Sequence, residues 1–272
     1  MPSNTEITVS QLSRLIGLPD TPTLVDVRPE DEHGDDPRLL PASYRRDYRT
    51  ISDWVAGFHG RCVIVICGDG LTLSQGVAAF LRQEGIEAQT LEGGFTAWRD
   101  AGQLLLKRDK LPARDAKGRT LWVTRARPKI DRIACPWLIQ RFVDRDAAFL
   151  FVGASEVLAV AEEFNAAPFD IENVFWSHRG ETCTFDTMVE EFGLDSEPLR
   201  RLALIVRGAD TSRPDLAPQA EGLLAASLGY SRMYKDDLIQ LEAAMGLYDA
   251  FYRWCRDAHA ETHNWPSTKS KS

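Results

Sequence analysis

The segment with the clearest chemical potential is residues 67–72, Cys-Gly-Asp-Gly-Leu-Thr, which directly follows the apolar run Val63–Ile66. The thiol of Cys67 is followed by two glycines, Gly68 and Gly70. Glycines allow backbone N–H groups to turn towards one point and form a nest for an anion. A helix that begins directly behind such a loop adds the positive end of its dipole. These features predict that Cys67 is a nucleophile, present largely as the thiolate.

The position of Cys67 alone leaves a second interpretation, a small buried packing residue, which most free cysteines are. The surrounding elements define where it must lie. The β-branched run Val63–Ile66 is typical of a central parallel strand covered on both faces. From Leu73 onward, apolar residues recur with the spacing of one helix face, and Gly85 can end that helix. The pattern therefore predicts a strand, a tight loop and a helix in succession.

Two charged residues, Asp26 and Arg28, lie at the end of another mainly apolar run, residues 24–27. The carboxyl ends of parallel strands meet at one edge of a sheet, where ligands bind. We therefore expect Asp26 and Arg28 either to order the Cys67 loop or to form a structural salt bridge.

Three segments carry a family resemblance: LVDVRPEDE at residues 24–32, CGDGLT at 67–72 and LEGGFTAWRDAG at 91–102. Together they resemble the rhodanese homology domain, over about residues 5–105. The resemblance implies an α/β fold with a parallel sheet, helices on both faces and no required cofactor. It also implies a persulfide on Cys67, formed from a sulfane-sulfur donor and passed to a thiophilic acceptor. The residues that would hold this persulfide are those of the loop: Gly68, Asp69, Gly70, Leu71 and Thr72.

The composition is that of a soluble globular protein, with 272 residues, 44% hydrophobic and 26% charged. The net charge of −8 argues against general nucleic-acid binding, which needs a basic surface. The five cysteines are odd in number and widely spaced, which favours reduced thiols in a cytoplasm. No apolar window approaches the length of a membrane span. We therefore expect a cytoplasmic protein without a membrane partner, and the sequence gives no indication of its oligomeric state.

The domain organisation follows from shifts in pattern along the chain. Residues 1–105 are assigned to the first domain, and the charged, proline- and glycine-bearing residues 106–120 to a linker. A second domain is predicted over residues 121–258, mainly helical but with strands near residues 124 and 149–152. Residues 259–272 are predicted to be a flexible tail. The expected fold is a rhodanese-like parallel sheet followed by a mainly helical α+β domain.

The second domain opens with a run of cations: Arg125, Arg127, Lys129 and Arg132. Such a run predicts an oxyanion-binding patch or, alternatively, a solvated charged turn. Cys135 precedes a proline that can open a helix, so it is expected either to have a lowered pKa in the first helical turn or to pack in the core.

A third group lies in residues 177–186, where His178, Glu181 and Cys183 come close together in the sequence. Imidazole, carboxylate and thiolate are ligand types for a transition metal, so the segment predicts a metal site or a hydrogen-bonded turn. Further on, a helix is expected to end at Gly208, and Asp210 beyond it either pairs with nearby arginines or frames a site.

Four blocks of this second domain carry a further resemblance. They are KIDRIACPWLIQRFVD at residues 129–144, SHRGETCTFD at 177–186, IVRGAD at 205–210 and YDAFYRWCRD at 248–257. In this order they are similar to the C-terminal domain of ChrB-type chromate-resistance proteins. The resemblance implies a role in chromate resistance or sensing, with chromate as a candidate ligand.

Two hypotheses follow for the whole chain. The first is a rhodanese-type sulfurtransferase that carries a persulfide on Cys67 and acts in chromate resistance or oxidative stress. The alternative is a catalytically inactive protein that senses or binds chromate or a metal through its second domain.

Overall fold

The computed structural model describes residues 5–261, and its first half is built on a five-stranded sheet. The strand order is β1-β5-β4-β2-β3, and every neighbouring pair is parallel. The strands are β1 (Glu6–Ile7), β2 (Thr23–Asp26), β3 (Tyr44–Arg45), β4 (Val63–Ile66) and β5 (Ala88–Leu91). The helices of this half are α1 (Val9–Ser13), α2 (Glu30–Asp35), α3 (Ile51–Trp54), α4 (Thr72–Gln83) and α5 (Gly94–Asp100).

Strand β4 lies at the centre of this sheet, and all four of its residues are buried. Successive side chains of a strand point to opposite faces. Val63 and Val65 accordingly pack in one cluster, with Val77 of α4, while Ile64 and Ile66 pack in another, with Trp98 of α5. Apolar layers therefore cover the sheet on both faces, as the unbroken β-branched run predicts.

The second half contains a three-stranded parallel sheet with the order β7-β6-β8 and a larger helical layer. The strands are β6 (Leu121–Arg125), β7 (Ala148–Val152) and β8 (Ala167–Pro168). The helices are α6 (Asp131–Leu138), α7 (Val157–Glu163), α8 (Thr184–Glu191), α9 (Glu197–Asp210), α10 (Ala220–Met233) and α11 (Asp237–Arg253). Short π-helical turns, Ile139–Val143 and Trp254–Ala258, continue α6 and α11. The predicted fold class is thus confirmed for both halves.

The two halves pack directly on each other through one continuous apolar cluster, which contains Trp98 from the first half and Trp137 from the second. The backbone N–H of Ala42 donates to the carbonyl of Phe142 at 2.7 Å. Gly17 has φ +78°, and a Cβ there would lie 2.9 Å from a ring carbon of Phe142. This close approach requires a glycine at the junction.

Helix α9 runs two residues further than the glycine-stop pattern predicts, since Gly208 lies inside it. A Cβ at Gly208 would meet the side chain of Ala220 at 2.9 Å. The glycine therefore permits close packing of α9 against α10 and does not end the helix. As a consequence, Asp210 is held on the last turn of α9.

Two further expectations concern membrane-spanning helices and the C-terminal tail. No helix within residues 5–261 is long and apolar enough to cross a membrane. Residues 262–272 of the predicted tail lie outside the described residues.

Candidate functional site

The thiol of Cys67 lies at the carboxyl end of β4 and faces the first turn of α4. Its Sγ is 3.2 Å from Oγ of Ser74 and 3.3 Å from Oδ1 of Asp69, and the residue is buried. Helix α4 begins at Thr72, so residues 67–72 form the complete connection between the strand and the helix. The geometry places a thiol at the positive end of a helix dipole.

The underside of this loop is held by the turn that precedes α5. The N–H of Phe95 donates to the carbonyl of Cys67 at 2.8 Å, and that of Thr96 donates to the carbonyl of Gly68 at 3.0 Å. Gly94 adopts φ +59°, and a Cβ there would lie 2.5 Å from the N atom of Gly70. The Gly-Gly pair of the sequence is therefore needed for close contact between the two loops.

We expect Gly94→Ala to lower the free energy of unfolding by about 1–3 kcal/mol, because the added Cβ meets backbone atoms at a positive φ. Denaturant titration measures this change. Gly76→Ala is the matched control, since it lies in α4 with no atom within 4 Å of its Cβ. This control should leave stability unchanged or raise it by up to about 1 kcal/mol. Equal midpoints for the two variants would contradict the packing role of Gly94.

Asp26 and Arg28 form a buried salt bridge at the same edge of the sheet. Arg28 Nη2 lies 2.7 Å from Asp26 Oδ2, and the two side chains are 1% and 0% exposed. The remaining guanidinium N–H groups donate to the carbonyls of Asp36 and Arg38. The guanidinium also lies 3.6 Å from the ring centroid of Phe95, the residue that bonds to the Cys67 carbonyl. The pair thus contacts the Cys67 loop through Phe95. Its two charges are paired with each other inside the fold.

The groove outside the Cys67 loop has a volume of about 420 Å³ and an acidic rim. Its carboxylates are those of Glu32, Asp35, Asp36 and Asp69. The lining arginines are Arg28, which is paired with Asp26, and Arg99, which is paired with Asp100 at 2.9 Å. The N–H of Leu71, followed by the Cys67 thiol, lowers the pKa of Asp69, which is therefore a carboxylate at neutral pH.

The carboxylate of Asp69 opposes negative charge on Sγ of Cys67, at a separation of 3.3 Å. Two unit charges 4 Å apart interact by about 1 kcal/mol in water, and Asp69 is exposed to solvent, which screens the effect. We therefore expect Asp69→Asn to raise the rate of Cys67 alkylation by iodoacetamide about two- to fivefold. Peptide mass spectrometry follows the modified cysteine, with Asp53→Asn as the control. A slower reaction in the Asp69 variant would contradict this role.

The second domain contains a cluster of charged side chains around His178. Its Nε2 lies 3.5 Å from Asp131 Oδ2, 3.3 Å from Asp170 Oδ1 and 3.3 Å from Asp210 Oδ2. These hydrogen bonds, led by that to Asp131, raise the pKa of His178, while burial raises the pKa of Asp131. The imidazole is therefore a cation at neutral pH in this arrangement, and it faces three carboxyl groups.

Backbone geometry fixes the carboxyl groups of this cluster. Ile130, at the start of α6, has φ +36°, an uncommon conformation for a β-branched residue. It precedes Asp131, whose Oδ2 accepts the N–H of Thr184 at the start of α8. Asp170 also has a positive φ, of +53°, and its Oδ1 accepts the Thr184 hydroxyl at 3.0 Å. Strain of this kind is often concentrated at functional sites.

The cations predicted to form an oxyanion patch have other partners. Arg125 and Arg132 both bind Asp170 Oδ2, at 3.3 and 3.2 Å. Arg127 donates to the carbonyls of Ser231 and Tyr234, and Lys129 is exposed. Within residues 5–261, Arg125 and Arg132 thus pair with one carboxylate and Arg127 with backbone carbonyls, so the four cations do not converge on a shared anion site.

The structure does not bring the predicted ligand set His178, Glu181 and Cys183 together. Glu181 pairs with Arg213 at 3.2 Å, and Cys183 is buried at the start of α8. Burial raises the pKa of Cys183 well above its ordinary value. Burial does the same for Cys135, so the expected lowering of the Cys135 pKa is wrong. Helix α6 is buried on nearly every side, and this desolvation outweighs any effect of the helix terminus.

The sequence patterns do not single out Asp131 and Asp170 as members of this cluster. A signal was present, however, because three of the four blocks quoted for the second domain each supply one member. Asp131 lies in the first block, His178 in the second and Asp210 in the third. Only the fold shows that these members meet at one point.

Comparisons with known proteins match the two halves of the chain to two different families. The family model described as a rhodanese-like domain matches residues 8–101, and that described as the C-terminal domain of ChrB matches residues 122–255. Protein ChrB of Cupriavidus metallidurans is 31% identical over 146 residues, which are 52% of this chain and 43% of that protein. The chain therefore covers less than half the length of this curated relative.

Solved structures similar to the chain include a rhodanese-like domain protein from Staphylococcus aureus, at 29% identity. It has a TM-score of 0.31, with 35% of this chain and 90% of that chain covered. A thiosulfate sulfurtransferase from Pseudomonas aeruginosa is 20% identical, with a TM-score of 0.35 and coverage of 40% of this chain and 21% of that one.

Proposed function

This chain joins a rhodanese-like domain at residues 8–101 to a ChrB C-terminal domain at residues 122–255, and from that premise we propose that it is a sulfurtransferase. Cys67 would carry the transferred sulfur as a persulfide. The similarity of residues 122–255 to the ChrB C-terminal domain supports a role for this activity in chromate resistance or oxidative stress.

The proposed cycle has two balanced steps. In the first, the Cys67 thiolate attacks the sulfane sulfur of a donor such as thiosulfate, forms an S–S bond and releases sulfite. In the second, a thiophilic acceptor such as cyanide attacks the outer sulfur and leaves with it as thiocyanate, which regenerates the thiolate. No external oxidant or reductant is needed, because the sulfane sulfur keeps its oxidation state.

The observation that carries this proposal is the position of Sγ of Cys67, 3.2 Å from the Ser74 hydroxyl in the first turn of α4. The Ser74 hydroxyl can donate to a thiolate or persulfide, and the helix terminus favours the negative charge. The hydroxyl of Thr72, at the first residue of α4, is exposed beside the loop and can donate to a bound donor or acceptor.

The acidic rim bears on the choice of donor, because Glu32, Asp35 and Asp69 repel a dianion. The proposal therefore favours an organic persulfide, which carries less negative charge than thiosulfate and releases a thiolate when its outer sulfur is attacked, as the natural donor. The test is multiple-turnover transfer to cyanide from excess thiosulfate and, separately, from an organic persulfide with a neutral side chain. Thiocyanate release above the protein-free rate from either donor supports the proposal, whereas no such release from both by the folded protein contradicts it.

A second candidate function, metal binding by the ChrB domain, is favoured by the carboxylates that converge on His178. It does not compete with the first, since it uses none of the residues of the Cys67 loop.

A further inference from the structure

We propose that Asp131, Asp170 and His178 bind a divalent transition-metal ion, and that Asp210 completes the site. This ligand set differs from the one that the sequence suggests, because it contains no thiol and draws on three separate segments of the chain: α6, the connection from β8 to α8, and α9. The proposal is independent of sulfur transfer at Cys67.

The distances within the cluster suit a single ion. One donor atom each from Asp131, Asp170 and His178 can be chosen so that all lie within 4.8 Å of one another. Donor atoms bound to one ion at about 2.1 Å lie about 3.0–3.4 Å apart at octahedral or tetrahedral angles. His178 Nε2 lies 3.5 Å from Asp131 Oδ2 and 3.3 Å from Asp170 Oδ1, so these pairs are already close to the spacing of two ligands on one ion.

The hydrogen bonding of the cluster is also incomplete without an ion. Three carboxylate oxygens lie within 3.5 Å of His178 Nε2, which has only one hydrogen to donate. Arg125 and Arg132 are both directed at Asp170. Within the described residues, Asp131 and Asp210 have no cationic partner other than this imidazole. A divalent ion that replaces the Nε2 proton, which is released to solvent, would bind all the carboxyl groups that this single hydrogen cannot satisfy.

Independent support comes from Asp131, which is 0% exposed and whose Oδ1 has no hydrogen-bond partner in the described chain. Its other oxygen, Oδ2, already accepts the N–H of Thr184 and lies beside His178. A buried carboxylate oxygen without a partner carries a large desolvation cost, which metal coordination would offset. The orphan atom is thus an unused ligand on the residue at the centre of the cluster.

An ion could reach the cluster from solvent. The side chain of His178 is 39% exposed, and it lines an open pocket of about 590 Å³ together with Asp170 and Ser177. Water in this pocket could complete the coordination sphere. Three carboxylates and one imidazole form a set of hard and borderline donors, which suits Mn²⁺, Fe²⁺ or Zn²⁺ better than Cu⁺.

The test begins with the full chain stripped by a chelator, loaded separately with Zn²⁺ and Mn²⁺, and passed through a desalting column. We expect about one ion per chain to be retained by the wild type. His178→Ala and Asp210→Asn should each weaken metal affinity at least about tenfold. His59→Ala is the matched control, because His59 is an exposed histidine in the first half, and it should bind metal as the wild type does.

Loading with Co²⁺ distinguishes the proposed ligand set from the set His178, Glu181 and Cys183 that the sequence suggests. The proposed oxygen and nitrogen donors predict d–d absorption without a thiolate charge-transfer band, and Glu181→Gln should leave the spectrum unchanged. Circular dichroism confirms that each variant is folded. Failure of the wild type to retain any of the three ions, full retention by His178→Ala, or a thiolate band would each overturn the proposal.

Discussion

Replacement of Cys67 by serine is expected to lower sulfurtransferase turnover by on the order of 10³-fold or more, because a serine hydroxyl cannot take up sulfane sulfur as a persulfide. A serine hydroxyl is nearly isosteric, and Oγ of Ser74 remains available as its hydrogen-bond partner. Thermal and denaturant unfolding should therefore change little. The Cys67→Ser variant therefore tests the chemistry of the thiol while leaving the structure of the loop in place.

The control for this variant is Cys62→Ser. Cys62 lies just before β4 and is only partly buried, and burial together with Glu87 raises the pKa of its thiol. It is therefore a thiol near the same strand without a helix terminus beside it. Steady-state thiocyanate formation should survive in the Cys62 variant and disappear in the Cys67 variant. Equal turnover in the wild type and Cys67→Ser would remove the catalytic assignment.

The second large effect concerns Asp26, whose replacement by alanine should lower the free energy of unfolding by about 3–5 kcal/mol. Arg28 is 1% exposed and would be left as a buried charge without its carboxylate. Its contact with the Phe95 ring would loosen, so the hydrogen bond from Phe95 to Cys67 should weaken as well. Urea titration measures the first effect, and Cys67 alkylation kinetics report on the second.

An exposed pair in the same half gives the comparison for Asp26. Arg99 and Asp100 lie 2.9 Å apart with side chains 41% and 61% exposed, so Asp100→Ala should cost less than about 1 kcal/mol. A similar loss for the two variants would show that burial of the Asp26–Arg28 pair does not determine its contribution.

The Cys67 loop could be predicted from the sequence because all its determinants are local. The strand, the loop and the helix follow one another within residues 63–83, and the parallel topology places Asp26 at the same edge. The contact between the Gly94 turn and the loop is less local, yet the Gly-Gly pair indicates that close approach is needed.

The cluster in the second domain could not be predicted in the same way, because its members are far apart in sequence. Asp131, Asp170 and Asp210 lie on different segments, and only tertiary packing brings them to His178. Glu181 is close to His178 in sequence, but its side chain pairs with Arg213. Proximity along the chain thus identified the histidine of the cluster but not the carboxyl groups that surround it.

Burial explains the remaining differences. The charges of Arg125 and Arg132 are evident in the sequence, whereas the carboxylate that pairs with both comes from Asp170, about 40 residues away. Cys135 follows a helix start in the sequence, but full burial dominates its pKa. A local sequence pattern shows which ionisable side chains are present. Their solvent exposure, which shifts their pKa values, depends on the whole fold.

The most direct test of the persulfide proposal is mass spectrometry of the intact protein and of its peptides, after mixing with a large excess of thiosulfate or of an organic persulfide. The proposal predicts one added sulfur atom, located on the peptide that contains Cys67 and removed by cyanide. An unmodified Cys67 in folded protein with free thiols, after treatment with both donors, would contradict the claim that this thiol carries sulfur.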